Sequence, residues 1–159
     1  MSQTTLSNWL KGIIIGIAIC GIIICFLIIP SLGKDIAYQY PEYEHCYLPW
    51  LIAIWISVLP CYIVLSYGWK ITIEIGKDNS FSKENAGYLK NISILALVDT
   101  VYVFLFNVVF LFLNMSHPGV FLASLFVDFA GVTVAVVAAG LSHLVQKAAE
   151  IQSENELTI

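Results

Sequence analysis

Residues 92–144 read ISILALVDTVYVFLFNVVFLFLNMSHPGVFLASLFVDFAGVTVAVVAAGLSHL, two apolar runs joined by a short polar link. Each run, 92–113 and 120–144, reaches the ~20 residues that a helix needs to cross a hydrocarbon core of roughly 30 Å. Lipid offers the backbone no hydrogen-bond partners, so each run is expected as a helix. The link Asn114-Met115-Ser116-His117-Pro118-Gly119 is short enough to make the two helices antiparallel neighbours. A helical hairpin in a membrane decides the fold class.

Working outward, two more runs of the same kind appear. Residues 50–69 follow Pro49, a residue suited to the first helical turn. Residues 10–29 end at Pro30, where a stop is expected. This first run is longer than the roughly 7–15 apolar residues of a cleaved signal peptide, and only Lys11 precedes it in place of a basic start. It is read as a span. The chain is 59% hydrophobic and 11% charged, against about 25% charged in soluble domains. The expectation is a single all-α integral membrane domain over residues 1–159: an antiparallel bundle of four transmembrane helices with helical cytoplasmic extensions. Residues 31–49 form an outer loop, 70–91 a cytoplasmic connection and 145–159 an amphipathic tail.

The lysines orient it. Lys11, Lys70, Lys77, Lys83, Lys90 and Lys147 fall on one side of this layout and Lys34 on the other. The positive-inside bias therefore places both termini and the 70–91 connection in the cytoplasm of a plasma membrane. Trp9, Tyr47, Trp50 and Trp69 flank the runs as interfacial anchors. The net charge of −4 and the absence of Arg argue against direct nucleic-acid binding, which needs a basic patch.

Asp99 and Asp128 lie at membrane depth, where a carboxyl costs at least ~2.5 kcal/mol and usually faces the bundle interior. Counted from the helix ends, they differ by about 6 Å in height. Together with Asn107 and Thr133 they are expected to line one polar pocket. No cation sits at that depth, so one or both carboxyls are expected to hold a proton. Two readings stay open. The pocket takes a proton, cation or ligand, or neutral Asp merely bridges helices through Thr100, Tyr102, Asn107 or Thr133.

Gly12 and Gly16, continued by Cys20, and Gly131, Ala135 and Ala139 are small residues spaced for close helix packing, within the bundle or in a homo-oligomer. Pro60 is expected to kink the second span. Ser82 suits a helix N-cap, with Glu84 in the first turn. Phe81, Asn85, Tyr88 and Ile92 then share a face. Leu141, Leu144, Ala148 and Ile151 continue one stripe beyond the bilayer, and Ile71, Ile73 and Ile75 add apolar surface. Such faces either pack on one another or dock a partner, through Phe81, Asn85, Tyr88, Ile151, Glu154, Leu157 and Ile159.

Cys20, Cys25 and Cys61 lie in apolar runs and Cys46 in the outer loop, all read as reduced, with an intermolecular bridge through Cys46 the residual alternative. Glu42, Glu44, His45, Cys46 and His117 match no zinc spacing. No phosphate-binding loop, nucleophile elbow or zinc-protease helix is present. Neither metal, cofactor nor enzymatic activity is expected.

Two segments resemble a bacterial family of small four-span membrane proteins catalogued as domain of unknown function 2975. They are Asp78-Asn79-Ser80-Phe81-Ser82-Lys83-Glu84-Asn85, with Tyr88-Leu89-Lys90-Asn91-Ile92, and the terminal Ala149-Glu150-Ile151-Gln152-Ser153-Glu154-Asn155-Glu156-Leu157-Thr158-Ile159. The family has no established activity. The resemblance implies a neighbouring small helix-turn-helix regulator, and so a membrane protein that controls it. The expected function is accordingly a regulatory or interaction protein. A proton- or cation-linked transporter built as an oligomer is the alternative, and immunity against a membrane-active peptide, with the Tyr-rich outer loop as receptor, is a third.

Overall fold

The computed structural model describes residues 2–156. Helix α1 spans Gln3–Ile23 and passes through one π-helical turn, Ile24–Ile28, into α2, Ile29–Gln39. A 3-10 segment, Pro41–Cys46, leads to α3, Tyr47–Gly76. Helix α4 is Lys83–Phe112 and α5 is Pro118–Glu156. Among the described residues, four stretches are long and apolar enough to cross a membrane, namely α1 with α2, α3 with its 3-10 lead-in, α4, and α5. The protein is an all-helical antiparallel membrane bundle.

Pro30 does not end the first helix. The turn before it widens, so that the Ile29 N–H reaches the Ile24 carbonyl five residues back. A π turn of this kind makes room for a residue that lacks an N–H. The expected outer loop is therefore largely helical. Pro49 sits in the first turn of α3, where a missing N–H goes unneeded. Beyond it α3 continues as one helix through Pro60.

Each helix packs on its neighbour in chain order. Between α1 and α3, Ser7 Oγ donates to Thr72 O at 2.6 Å, Tyr62 Oη to Ala18 O at 2.8 Å and Trp55 Nε1 to Cys25 O at 3.1 Å. Between α3 and α4, Tyr102 Oη donates to Ala53 O at 3.1 Å, and Trp50 meets Phe106 and Phe110 edge-on. Between α4 and α5, Ser93 Oγ donates to Ala135 O and Ser142 Oγ to Ala86 O, both at 2.7 Å. Hydroxyls, two phenols and an indole thus spend their donors on neighbouring backbones, as a medium without water requires.

Helices α3 and α4 end in the same way. Asp78 (φ 61°) and Asn114 (φ 55°) take the left-handed conformation just past each helix. Asn79 N–H reaches Glu74 O and Asp78 N–H reaches Ile75 O; Met115 N–H reaches Phe110 O and Asn114 N–H reaches Leu111 O. These are paired Schellman closures, in the residue types that tolerate a positive φ best after Gly. At the other end of the 77–82 connection, Ser82 Oγ accepts from Asn85 N–H at 3.2 Å and caps α4, with Glu84 in its first turn.

Candidate functional site

Helix α4 has two working faces, and each carries part of the expected pocket. Asp99 is on the face toward α3. Its Oδ2 accepts from Ser57 Oγ at 3.2 Å and from Cys61 Sγ at 3.8 Å. Tyr88, Tyr102 and Phe106 share that face through contacts with Tyr67, Ala53 and Trp50.

The face toward α5 repeats every seven residues as Ala86, Ser93, Thr100 and Asn107. Helix α5 answers with Asp128, Ala135, Ser142 and Ala149, all buried, and with Gly131 and buried Ala138 between them. A seven-residue repeat of small residues in both helices lets two backbones approach along their whole length. At Gly131 the approach is so close that a Cβ would collide with Thr100 Oγ1. Thr100 is held there by donating to Ala96 O at 2.8 Å.

The structure therefore divides the expected pocket. Asp128 and Asn107 lie in the α4–α5 seam, while Asp99 turns away from it to Ser57 and Cys61. Thr133 belongs to neither group. It is exposed on the outer face of α5 and donates to its own helix at Phe129 O. Three heptads separate Asp128 from Ala149, whereas Thr133 is five residues on, most of a half-turn off the seam.

Gly131 and Ala135 lie in the seam. Ala139 is exposed, its place taken by Ala138. Gly12 and Gly16 are exposed, and a Cβ on either would meet nothing within 4 Å. Their stripe faces out of the chain, where it packs on no other helix of this chain among the described residues.

At the lysine-bearing end the expected shared face also separates. Asn85 is buried and its Nδ2 donates to Asn79 O and Ser80 O, so it braces the connection. Tyr88 lies half-buried beside Tyr67, with Lys70 Nζ over both rings at 5.5 and 5.2 Å. Phe81 and Ile151 remain exposed. Glu154 lies in the last turns of α5, and Leu157 and Ile159 lie outside the described residues. Glu74 accepts from Lys77 Nζ and Asn79 Nδ2, each at 2.8 Å. The Lys77 hydrogen bond above all, then that of Asn79, holds the Glu74 carboxyl below its ordinary range, and the same bond raises Lys77.

All four cysteines are free. Cys46 is buried, with its sulfur 3.3 Å from His45 Nε2, and burial raises its thiol above the ordinary value. Among the described residues no three His, Cys, Asp or Glu side chains come together as a metal site.

The partners of Asp99, Ser57 and Cys61, and the seam hydroxyls of Ser93 and Ser142 were not singled out from the sequence. The signal was present as two seven-residue repeats of small residues, which a search at four-residue spacing passes over.

Residues 31–159 match the family described as protein of unknown function (DUF2975), and the chain belongs to it. The chain is also similar to the uncharacterized membrane protein YoaS of Bacillus subtilis (strain 168). The two are 29% identical over 149 residues, which cover 92% of each. No solved structure matches.

Proposed function

We propose that this member of the DUF2975 family is a regulatory interaction protein, acting by binding rather than catalysis. Its lysine-bearing end faces the cytoplasm and docks a soluble partner, the small helix-turn-helix regulator that the family resemblance implies. One observation carries the reading. Helix α5 has 39 residues and α4 has 30, lengths of about 58 and 45 Å at 1.5 Å per residue.

The excess lies at the lysine-bearing end. The register that sets Ser142 against Ala86 brings position 145 level with Lys83, the first residue of α4. The last turns of α5 run past that point. They carry Ile151, which continues the stripe of Leu144 seven residues before it, and both are more than half exposed. An apolar stripe on a helix that projects beyond its own bundle suits the groove of a helical partner. Lysines 70, 77, 83, 90 and 147 at this end support its cytoplasmic placement.

Affinity purification from the native membrane tests this, with the neighbouring regulator as the protein sought. Recovery is expected with the intact chain and lost with Leu144→Glu/Ile151→Glu, which leaves the α4–α5 seam untouched. Equal recovery of the regulator with both chains, or none with either, would refute the docking surface.

A further inference from the structure

Lys70 stands just past the apolar run 50–69, where the lysine-bearing end of α3 leaves the hydrocarbon core. A lysine at such a place ordinarily extends its head into water. Lys70 is exposed, yet its Nζ stays on the protein, over the ring of Tyr67 at 5.2 Å and that of Tyr88 at 5.5 Å. Tyr67 lies one turn back on α3 and Tyr88 on α4, their half-buried rings 5.8 Å apart. The cluster thus spans two helices.

An acid one turn onward is the usual partner of a helical lysine, and Glu74 lies four residues after Lys70. Both of its oxygens are already taken, Oε1 by Lys77 and Oε2 by Asn79. Among the described residues Lys70 meets no carboxylate, the ion pair at this end being that of Lys77 with Glu74. The phenols are unspent as well. Tyr62 and Tyr102 donate to neighbouring backbones, whereas Tyr67 Oη and Tyr88 Oη have no hydrogen-bond partner among the described residues. A second cation stands beside the cluster. The register that sets Ser7 against Thr72 and Ala18 against Tyr62 puts Lys11 level with positions 68 and 69, and its Nζ lies over the Trp69 ring at 5.8 Å.

The cluster therefore gathers a positive charge without a counter-charge, and donors without an acceptor. An ammonium offers N–H groups on several sides and each phenol one O–H. Phosphate is the complement, a compact anion whose oxygens only accept, and lysine is a common partner for it. Phosphate groups are the anions that the membrane–water boundary supplies, and basic clusters between helices at that boundary hold lipid headgroups.

We propose that Lys70, Tyr67 and Tyr88 bind a phosphate group of net negative charge, carried on a lipid headgroup of the leaflet at the lysine-bearing end. Lys70 meets the charge, the two phenols donate to the phosphate oxygens, and one headgroup ties α3 to α4. The inference goes beyond the docking surface and stands whether or not a partner binds there.

Native mass spectrometry of the full chain in detergent tests it, with dioctanoyl phosphatidylglycerol, dioctanoyl phosphatidylcholine and inorganic phosphate as probes. Phosphatidylglycerol is expected to form a saturable adduct and to raise the thermal midpoint. Phosphatidylcholine, whose headgroup has no net charge, and free phosphate, which has no acyl chains, both bind more weakly. Lys70→Gln weakens the phosphatidylglycerol adduct by about tenfold or more, as loss of a hydrogen bond to a charged group does. Tyr67→Phe/Tyr88→Phe keeps both rings under the lysine, removes the hydroxyls and weakens the adduct about threefold or more. Lys90→Gln, an exposed lysine at the same end, leaves it unchanged. Equal affinity of the native chain and Lys70→Gln would overturn the proposal, as would phosphatidylcholine binding as well as phosphatidylglycerol. An equal loss with Lys90→Gln would show a diffuse attraction in place of a site. Free phosphate binding through Lys70 more tightly than the lipid would move the ligand into the water phase and overturn the lipid assignment.

Discussion

Gly131 of α5 lies so close to Thr100 of α4 that any side chain at 131 would strike the threonine hydroxyl. This contact lies within a seam that runs from Asn107 down to Ala86 and draws α4 and α5 into one hairpin. Without a hydrophobic drive between helices in lipid, such proximity is a main source of their association.

Gly131→Ala is expected to lower stability by about 1–3 kcal/mol, the usual cost of overpacking. Thr100→Ala in the same chain should recover much of that loss. Gly12→Ala, on the open face of α1, should change stability by less than about 0.5 kcal/mol. Unfolding midpoints in detergent measure all three. An equal cost at Gly12 and Gly131 in membranes would show that another copy covers the α1 stripe.

Ser93→Ala and Ser142→Ala each remove a 2.7 Å hydrogen bond between helices. Each is expected to cost about 0.6–2 kcal/mol. Ser153→Ala, whose hydroxyl bonds within its own helix at Glu150 O, serves as the neutral control.

Glu74 supplies an acid-side pH dependence. Its carboxyl titrates lower in the folded chain than in the unfolded one. Its stabilising effect is therefore full above the ordinary value of about 4.3 and is lost as pH falls through the lowered value. Lys77 is raised, so its part is full below about 10.4 and lost as pH rises through the raised value. Glu74→Gln should flatten the acid-side decline in unfolding midpoint relative to the native chain. Parallel declines would dismiss the interaction as a contributor.

Cys46 is expected to react slowly with maleimide at neutral pH. The thiolate is the reacting species, and burial of Cys46 both raises its thiol and shields it. Full denaturation should bring rapid labelling. Fast labelling of the folded chain would place Cys46 at an accessible surface.

The lysine distribution predicts that a cysteine replacing Ser153 is protected from impermeant reagents in intact cells and labelled once they are opened. The same holds for Lys83→Cys. Labelling of either from outside would reverse the orientation and remove the cytoplasmic docking surface with it.

Helix number was readable from the chain because water exclusion acts on long windows of composition. An apolar run of the 92–113 kind has no other stable conformation in lipid. Ser82 as a cap was readable for a similar reason, since capping depends on a residue and its near neighbours. Pro30 misled because its local effect as a helix stop was absorbed by one π turn. The joint pocket of Asp99 and Asp128 misled because height along a helix follows from counting, while direction around it depends on which neighbour each face meets. The register of α4 against two helices sends position 99 one way and position 100 the other.

By itself, then, the amino-acid order settled that this is a membrane protein of four helical stretches, because the bilayer judges each segment alone. Which carboxyl is bonded to Ser57 and which lies unpartnered in the α4–α5 seam is a matter of rotation about helix axes. Rotation is chosen by packing between segments distant in sequence, and so belongs to the tertiary structure alone.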